Sequence, residues 1–184
     1  MAATKHAQLI KNDSIEYLTT ALMQLLETTD FNDIKISQLV KRAGVSRMAF
    51  YRNFDTLEDV LRNYFETLIG KLFDDIIDSA DHEDKLLRLS QFFSRLEVPI
   101  KLSIQRHYED ILRQAFFDNM IRLYANDPRL ETLSASKRRY WVSFMSAGVY
   151  NVWRDWILHD KAESIDEIKA LITALQTATF AALS

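Results

Sequence analysis

The sequence predicts an all-α protein: an N-terminal three-helix head containing a helix-turn-helix, joined by a long helix to an all-helical body. Three observations carry this. Among 184 residues there are only three Gly and two Pro, too few breakers for a strand-rich fold, in which turn signals recur about every 8 to 12 residues. Apolar residues make up 48% of the chain and recur mostly at spacings of three and four, the period of a helix with one buried face. There is no Cys, so neither a disulfide framework nor a thiolate metal site contributes, and packing alone must hold the core.

Over residues 4–28, Leu9, Ile15, Leu18, Leu22 and Leu25 mark an amphipathic helix. Residues 29–33 read as a polar connection. Ile36, Leu39 and Val40 then open a short helix that stops at Ala43 and Gly44. Glycine is free to take positive φ there, so the chain can leave at a steep angle. Ser46 sits where a hydroxyl would cap the next helix, and Phe50 and Phe54, four apart, share its inward face. Thr56, with Glu58 and Asp59 behind it, is the cap and acidic first turn of a helix running to about Ser79. Such a helix is roughly 30 Å or more long, which predicts that it links head to body.

Residues 81–131 carry Leu86, Leu89, Phe92, Phe93 and Leu96, then Ile111, Leu112, Phe116, Met120, Ile121 and Tyr124. Pro99 is read as the break between these two helices, and Asn126, Asp127 and Pro128 as the next stop. The helix over residues 135–160 is apolar on two faces. Trp141, Met145, Val149, Val152 and Trp156 form one; Tyr140, Phe144, Ala147 and Leu158 form the other. A helix apolar on two faces is expected to be buried on both. In the last helix, residues 164–182, Ile165, Ile168, Ile172, Leu175 and Thr179 form the core side, while Ala170, Ala174, Thr177 and Ala181 form a small-residue side suited to close helix approach.

Charge singles out the helix-turn-helix. Between Lys35 and Phe54 stand five basic side chains (Lys35, Lys41, Arg42, Arg47, Arg52) and no acid, in a chain of net charge -3. A basic charge confined to one end suits a reader of one DNA site rather than a coat on nucleic acid. Arg47, Met48 and Tyr51 are placed to meet base edges or adjacent backbone from the second helix. Ser37, Lys41, Ser46 and Arg52 complete the DNA-binding set, with Ser37, Lys41 and Arg52 assigned to phosphates.

At these residues the chain resembles a known family. The run AGVSRMAFYRNF followed by DTLEDVL is similar to the DNA-binding domain of the TetR family of bacterial transcriptional regulators, whose pattern is Ala-Gly-Val-Ser, two or three variable residues, an apolar residue, Tyr, then Phe. The resemblance spans about residues 5–61. Two positions depart from the pattern: Lys35 replaces a Thr that caps the first helix and touches phosphate, and Leu57 replaces a Lys that grips the backbone. The resemblance implies a head over 1–55 and an effector-binding, dimerising body over 56–184.

Within the body the aromatic-rich helices supply candidate ligand contacts at Phe92, Phe93, Tyr108, Phe116, Tyr124 and Trp141. Candidate dimer contacts are Tyr140, Phe144, Ala170, Ala174, Thr177 and Ala181. Other chemistry lacks its motifs. The four His form no ligand pair, and there is no phosphate loop and no G-x-S-x-G elbow. No metal, no cofactor and no enzymatic activity are expected. The N-terminus MAATKHAQLIKND has no signal-peptide core and no apolar run is long enough to span a bilayer, so a cytoplasmic protein without a membrane partner is expected. The function that follows is a homodimeric repressor of transcription, bound to a double-stranded operator and released by a small-molecule effector. A ligand-independent, architectural DNA-binding protein whose body only dimerises is the alternative. A helical module that binds protein instead of DNA would show no salt-dependent DNA affinity.

Overall fold

The computed structural model describes residues 2–77, 82–125 and 127–184, with the side chains of 2–12, 76, 77, 82–87, 89 and 90 outside the description. Among the described residues the chain is all-α. The helices are α1 (Ala2–Leu26), α2 (Ile36–Ala43), α3 (Arg47–Asn53), α4 (Leu57–Ile77), α5 (His82–Gln105), α6 (Glu109–Ala125), α7 (Ala135–Leu158) and α8 (Ile165–Ala181), with 3₁₀ turns at Phe31–Asp33 and Pro128–Thr132. No helix among these residues is long and apolar enough to cross a membrane. The expected end of α4 near Ser79, and the inward roles of Leu9, Ile76, Leu86 and Leu89, fall outside the described residues.

Compactness divides the chain elsewhere than at residue 55: one unit holds Met1–Thr67 with Leu102–Leu112, the other Leu68–Lys101 with Arg113–Ser184. In the first unit α1, α2 and α3 pack on one another, and Leu18, Leu22, Leu26, Leu39, Phe50 and Phe65 are fully buried. Three short helices bury too little apolar surface singly, so each is stable because the others cover its stripe. The connection at residues 29–33 is less polar in role than its composition suggested, because Phe31 is buried. The amide of Phe31 donates to the carbonyl of Arg106 at 3.0 Å. The guanidinium of Arg106 in turn reaches the carbonyl of Glu27 at 2.7 Å and Asp30 at 3.3 Å.

Pro99 does not break a helix. It lies inside α5, which continues until His107 takes the left-handed conformation at φ 61. A proline removes one amide donor and crowds the carbonyl four residues back, a cost of about 3 kcal/mol. Leu96, Ile100 and Ser103, all buried, give the helix packing on both sides of the proline that offsets this cost. Tyr108 follows directly, its ring against Phe31 at 6.1 Å and Phe65 at 6.0 Å.

In the second unit Phe73, Phe92, Phe93 and Phe116 form one aromatic cluster, with Phe73 and Phe92 edge to face at 5.1 Å. Trp153 stacks on Phe93 at 3.5 Å. Helices α7 and α8 run as an antiparallel pair: the Trp141 indole donates to Thr179 near one end, and Trp156 donates to the carbonyl of Glu163 at the turn. Ser164 caps α8, accepting from the Glu167 amide while Glu167 accepts from the Ser164 amide at 2.7 Å. Two expectations for these helices are revised. The second apolar face of α7 is exposed in the single chain, Tyr140 and Phe144 each at 65%. Leu175, assigned to the core side of α8, is 43% exposed, because the buried side is centred on Ile168 and Ile172 and Leu175 falls at its edge. Ile121 on α6 is likewise exposed.

Candidate nucleic-acid interface and body cavity

The turn between α2 and α3 is built by Gly44, whose φ of 67 places it in the left-handed region that favours glycine. Its amide donates back to Lys41, and that of Val45 to Val40 at 3.1 Å, which closes α2 within one residue of its end. Ser46 then caps α3, its hydroxyl accepting from the Ala49 amide at 3.1 Å. Phe50 is fully buried and packs near Phe54 at 6.3 Å. That anchor fixes which side of α3 faces out.

The outward side carries Arg47, Met48, Tyr51 and Arg52, all exposed. Met48 is 74% exposed, an unusual position for an apolar side chain in a helix that has a core available. Arg47 is loosely held, its guanidinium 6.0 Å from the Tyr51 ring centre and 3.5 Å from the Tyr51 hydroxyl. Ser37 and Lys41 are exposed on α2. Ser46 is exposed too, with one lone pair committed to its cap. Arg42 serves the fold instead: its Nε donates to Gln24 of α1 at 2.9 Å.

The two departures from the family pattern have structural answers. Lys35 precedes α2, and the cap is closed from the other direction, by the Gln38 carbonyl oxygen accepting from the Lys35 amide at 2.7 Å. Leu57 opens α4 half-buried. The start of α4 is secured by Thr56 and Asp59, each accepting from the other's amide, at 3.2 and 2.9 Å. Hydrogen bonds from Thr56 hold the Asp59 carboxyl below its usual range.

The six ligand candidates do not form one site. Tyr108 belongs to the first unit, packed on Phe31 and Phe65. Burial pushes its phenol up. In the second unit a cavity of about 230 Å³ is walled by Phe73, Phe93, Phe116, Met120, Val149 and Ile172. Only Phe93 and Phe116 of the candidates line it. Phe92 backs them within the cluster. Trp141 is turned instead toward Tyr124 and Phe180. The Tyr124 hydroxyl accepts from Gln176 at 2.8 Å, and burial raises it to about 12.

The polar lining comes from residues that the helix period alone does not single out: Lys169, Thr173, Gln176 and Thr177 on α8, and Arg129. The signal was present in their spacing. Positions 169, 173, 176 and 177 lie at i, i+4, i+7 and i+8, one side of a helix. Thr177, placed with the small-residue side, therefore faces this cavity. The remaining dimer candidates, Tyr140, Phe144, Ala170, Ala174 and Ala181, are all exposed. Among the described residues no group of three or more His, Asp or Glu is arranged to hold a metal ion.

No protein-family model matches the chain, and no curated protein matches it. Among solved structures it is similar to the dihydroxyacetone kinase operon activator DhaS, at 16% identity and a TM-score of 0.57, over 93% of this chain and 98% of that one. That likeness carries the fold. At this identity it extends an all-helical architecture to the chain at nearly full length, and the chemistry must be argued from the residues themselves.

Proposed function

We propose that this chain is a sequence-specific DNA-binding regulator of transcription of the TetR type, acting as a homodimer. The observation that supports this best is the outward side of α3 with its neighbours on α2. Arg47, Met48, Tyr51, Arg52, Ser37 and Lys41 are all exposed, in a segment without a single acid, on a short helix fixed by Gly44, Ser46 and Phe50. Arg47 is assigned to guanine, Met48 to apolar contact such as a thymine methyl, and Tyr51 to a base edge or the adjacent backbone; Ser37, Lys41 and Arg52 are assigned to phosphates.

Dimerisation is supported by the apolar residues that α7 and α8 leave uncovered: Tyr140, Phe144, Leu171 and Leu175, with exposed Ala170, Ala174 and Ala181 beside them. A two-fold pairing of the α7–α8 hairpins would cover them and present two α3 helices to successive major grooves of a palindromic site. The cavity in the second unit supports an effector-responsive regulator over one whose body only dimerises. Helix α4, whose residues belong to both units, is the proposed link. Repression relieved by effector is the first reading. The similar structure is named an operon activator, which favours activation as the second reading.

Selection of bound DNA from a random pool, followed by a titration across salt concentrations, tests the proposal. The selected sequence should bind at least about a thousandfold tighter than random duplex, with an affinity that falls steeply with salt. Absence of any salt-dependent DNA affinity would leave only a protein-binding module. A promoter fused to a reporter separates the two directions of regulation.

A further inference from the structure

Of the second unit's cavities, the one walled by Phe93, Phe116 and Ile172 has an asymmetric chemistry. Its wall is aromatic and aliphatic, its charged lining residues are Arg129 and Lys169, and no Asp or Glu lines it. The two cations are not equivalent. Arg129 is committed to Asp127, its Nε 3.1 Å and its terminal nitrogen 2.6 Å from one carboxylate oxygen. This pairing holds the Asp127 carboxyl below its usual range and raises the guanidinium, so the pair is neutral as a unit.

Lys169 is different. Its side chain is 15% exposed, and its ammonium lies 3.0 Å from Asp166, whose own carboxylate is 85% exposed to water. An acid so fully hydrated is a weak competitor, and an ammonium has three donors of which this contact uses one. Lys169 lines the cavity with its side chain 15% exposed, which puts a largely covered cation among the polar lining residues of an otherwise apolar wall. Of the neighbouring α8 groups, Gln176 donates to Tyr124 and the Thr177 hydroxyl donates to the carbonyl of Thr173. Lys169 is therefore the α8 cation with donors to spare, beside the second N–H of the Gln176 amide.

We infer that this cavity takes a small amphipathic carboxylate, an aryl or short aliphatic acid, with its apolar body against Phe93, Phe116 and Ile172 and its carboxylate on Lys169. A volume of about 230 Å³ holds on the order of eight non-hydrogen atoms, taking roughly 30 Å³ for a water-sized group in the liquid. One cation whose acidic partner is itself exposed to water matches one negative charge, which selects a monocarboxylate over a phosphate ester. The inference rests on reading the second unit as the effector-binding body and names the chemistry of the effector.

The test uses the full chain without DNA and three probes of one shape: benzoate, benzyl alcohol and benzylammonium, titrated by calorimetry and by tryptophan emission. Trp153, stacked on the cavity residue Phe93 at 3.5 Å, is the reporter. The acid should bind at least tenfold tighter than the alcohol, and the amine most weakly of the three. Lys169→Met should abolish the acid's advantage and leave the alcohol unchanged, while Asp166→Asn, which removes the competing acid, should tighten the carboxylate severalfold. Equal affinity for acid and alcohol, an acid preference that survives Lys169→Met, or binding by none of the probes overturns the inference. A melting curve confirms that each variant is folded, and Asp166→Asn is an independent test should Lys169→Met not fold. A separate titration on operator-bound protein keeps the two readings apart. Lys169-dependent carboxylate binding without DNA release upholds the site and removes the effector model; release by a compound that binds independently of Lys169 does the reverse.

Discussion

Replacing Arg47 by Ala separates recognition from folding more sharply than any other single change in the head. The Arg47 side chain is exposed, and its hydrogen bond to Tyr51 is at the limit of hydrogen-bonding distance. Its removal should therefore alter the stability of the fold by no more than about 0.5 kcal/mol. On DNA the proposed role is a bidentate contact to guanine, worth about 1 to 3 kcal/mol against the wrong base. A symmetric dimer carries two such contacts, so the loss on a palindromic site is about 2 to 6 kcal/mol, or roughly thirtyfold to twenty-five-thousandfold in affinity. Fluorescence anisotropy on the selected operator and on random duplex, beside a thermal melt, reads all three quantities. The operator should lose most of its advantage, random DNA should weaken by only the small share of one charge per protomer, and the melt should not move. Lys41→Ala is the control: without its ammonium on a phosphate, every sequence should bind more weakly by the same factor, and the salt dependence of the dimer should flatten by about two phosphates' worth, one per protomer. Equal losses on operator and random DNA for Arg47→Ala would refute its assignment to a base.

Three further outcomes are expected. Ser46→Ala removes the hydroxyl that accepts from the Ala49 amide and should cost about 1 kcal/mol of stability by chemical denaturation, with Ser46→Asp restoring much of it. Asp59, held below its usual range by Thr56, stabilises the start of α4 at pH values above the ordinary carboxylate range, near 4, and this contribution is lost as pH falls through its lowered folded-state value. Asp59→Asn should therefore weaken the protein at neutral pH and converge with the unmodified chain in strong acid, and a difference that persists unchanged there would count against the cap. Ala174→Trp, on the exposed side of α8, should convert dimers to monomers in sedimentation while the helical circular dichroism is kept; intact dimers would move the interface to the Tyr140 and Phe144 side.

What was legible in the sequence was what local chemistry decides. Gly44 takes the positive φ that its place between two helical patterns required, Ser46 caps the helix it precedes, and the helix period placed Leu18, Leu22 and Phe50 in the core. Pro99 misled because a proline's local cost is overridden when residues on both sides of it are packed, and no local pattern records that packing. Tyr108 was grouped with the body aromatics by its place in the chain, whereas the left-handed turn at His107 delivers it to Phe31 and Phe65 of the first unit. The cavity was hidden for a related reason. Its wall joins five helices distant in sequence, and its polar edge is a Lys, two Thr and a Gln on α8, with Arg129 beside them, residue types that a periodicity reading assigns to solvent. Leu171 and Leu175 show the converse, apolar residues left outside by a single chain, which the proposed pairing with a second copy would cover.

The central claim is that the outward side of α3 reads a DNA sequence. Its most direct test is the binding of the full chain to a selected palindrome and to that palindrome with each base pair of one half-site changed in turn, all at one fixed salt concentration. The claim expects a few adjacent positions at which a change costs about 1 to 3 kcal/mol, with the sensitivity at one guanine abolished by Arg47→Ala. A flat profile, in which no base change matters and Arg47→Ala alters nothing but the response to salt, would contradict it.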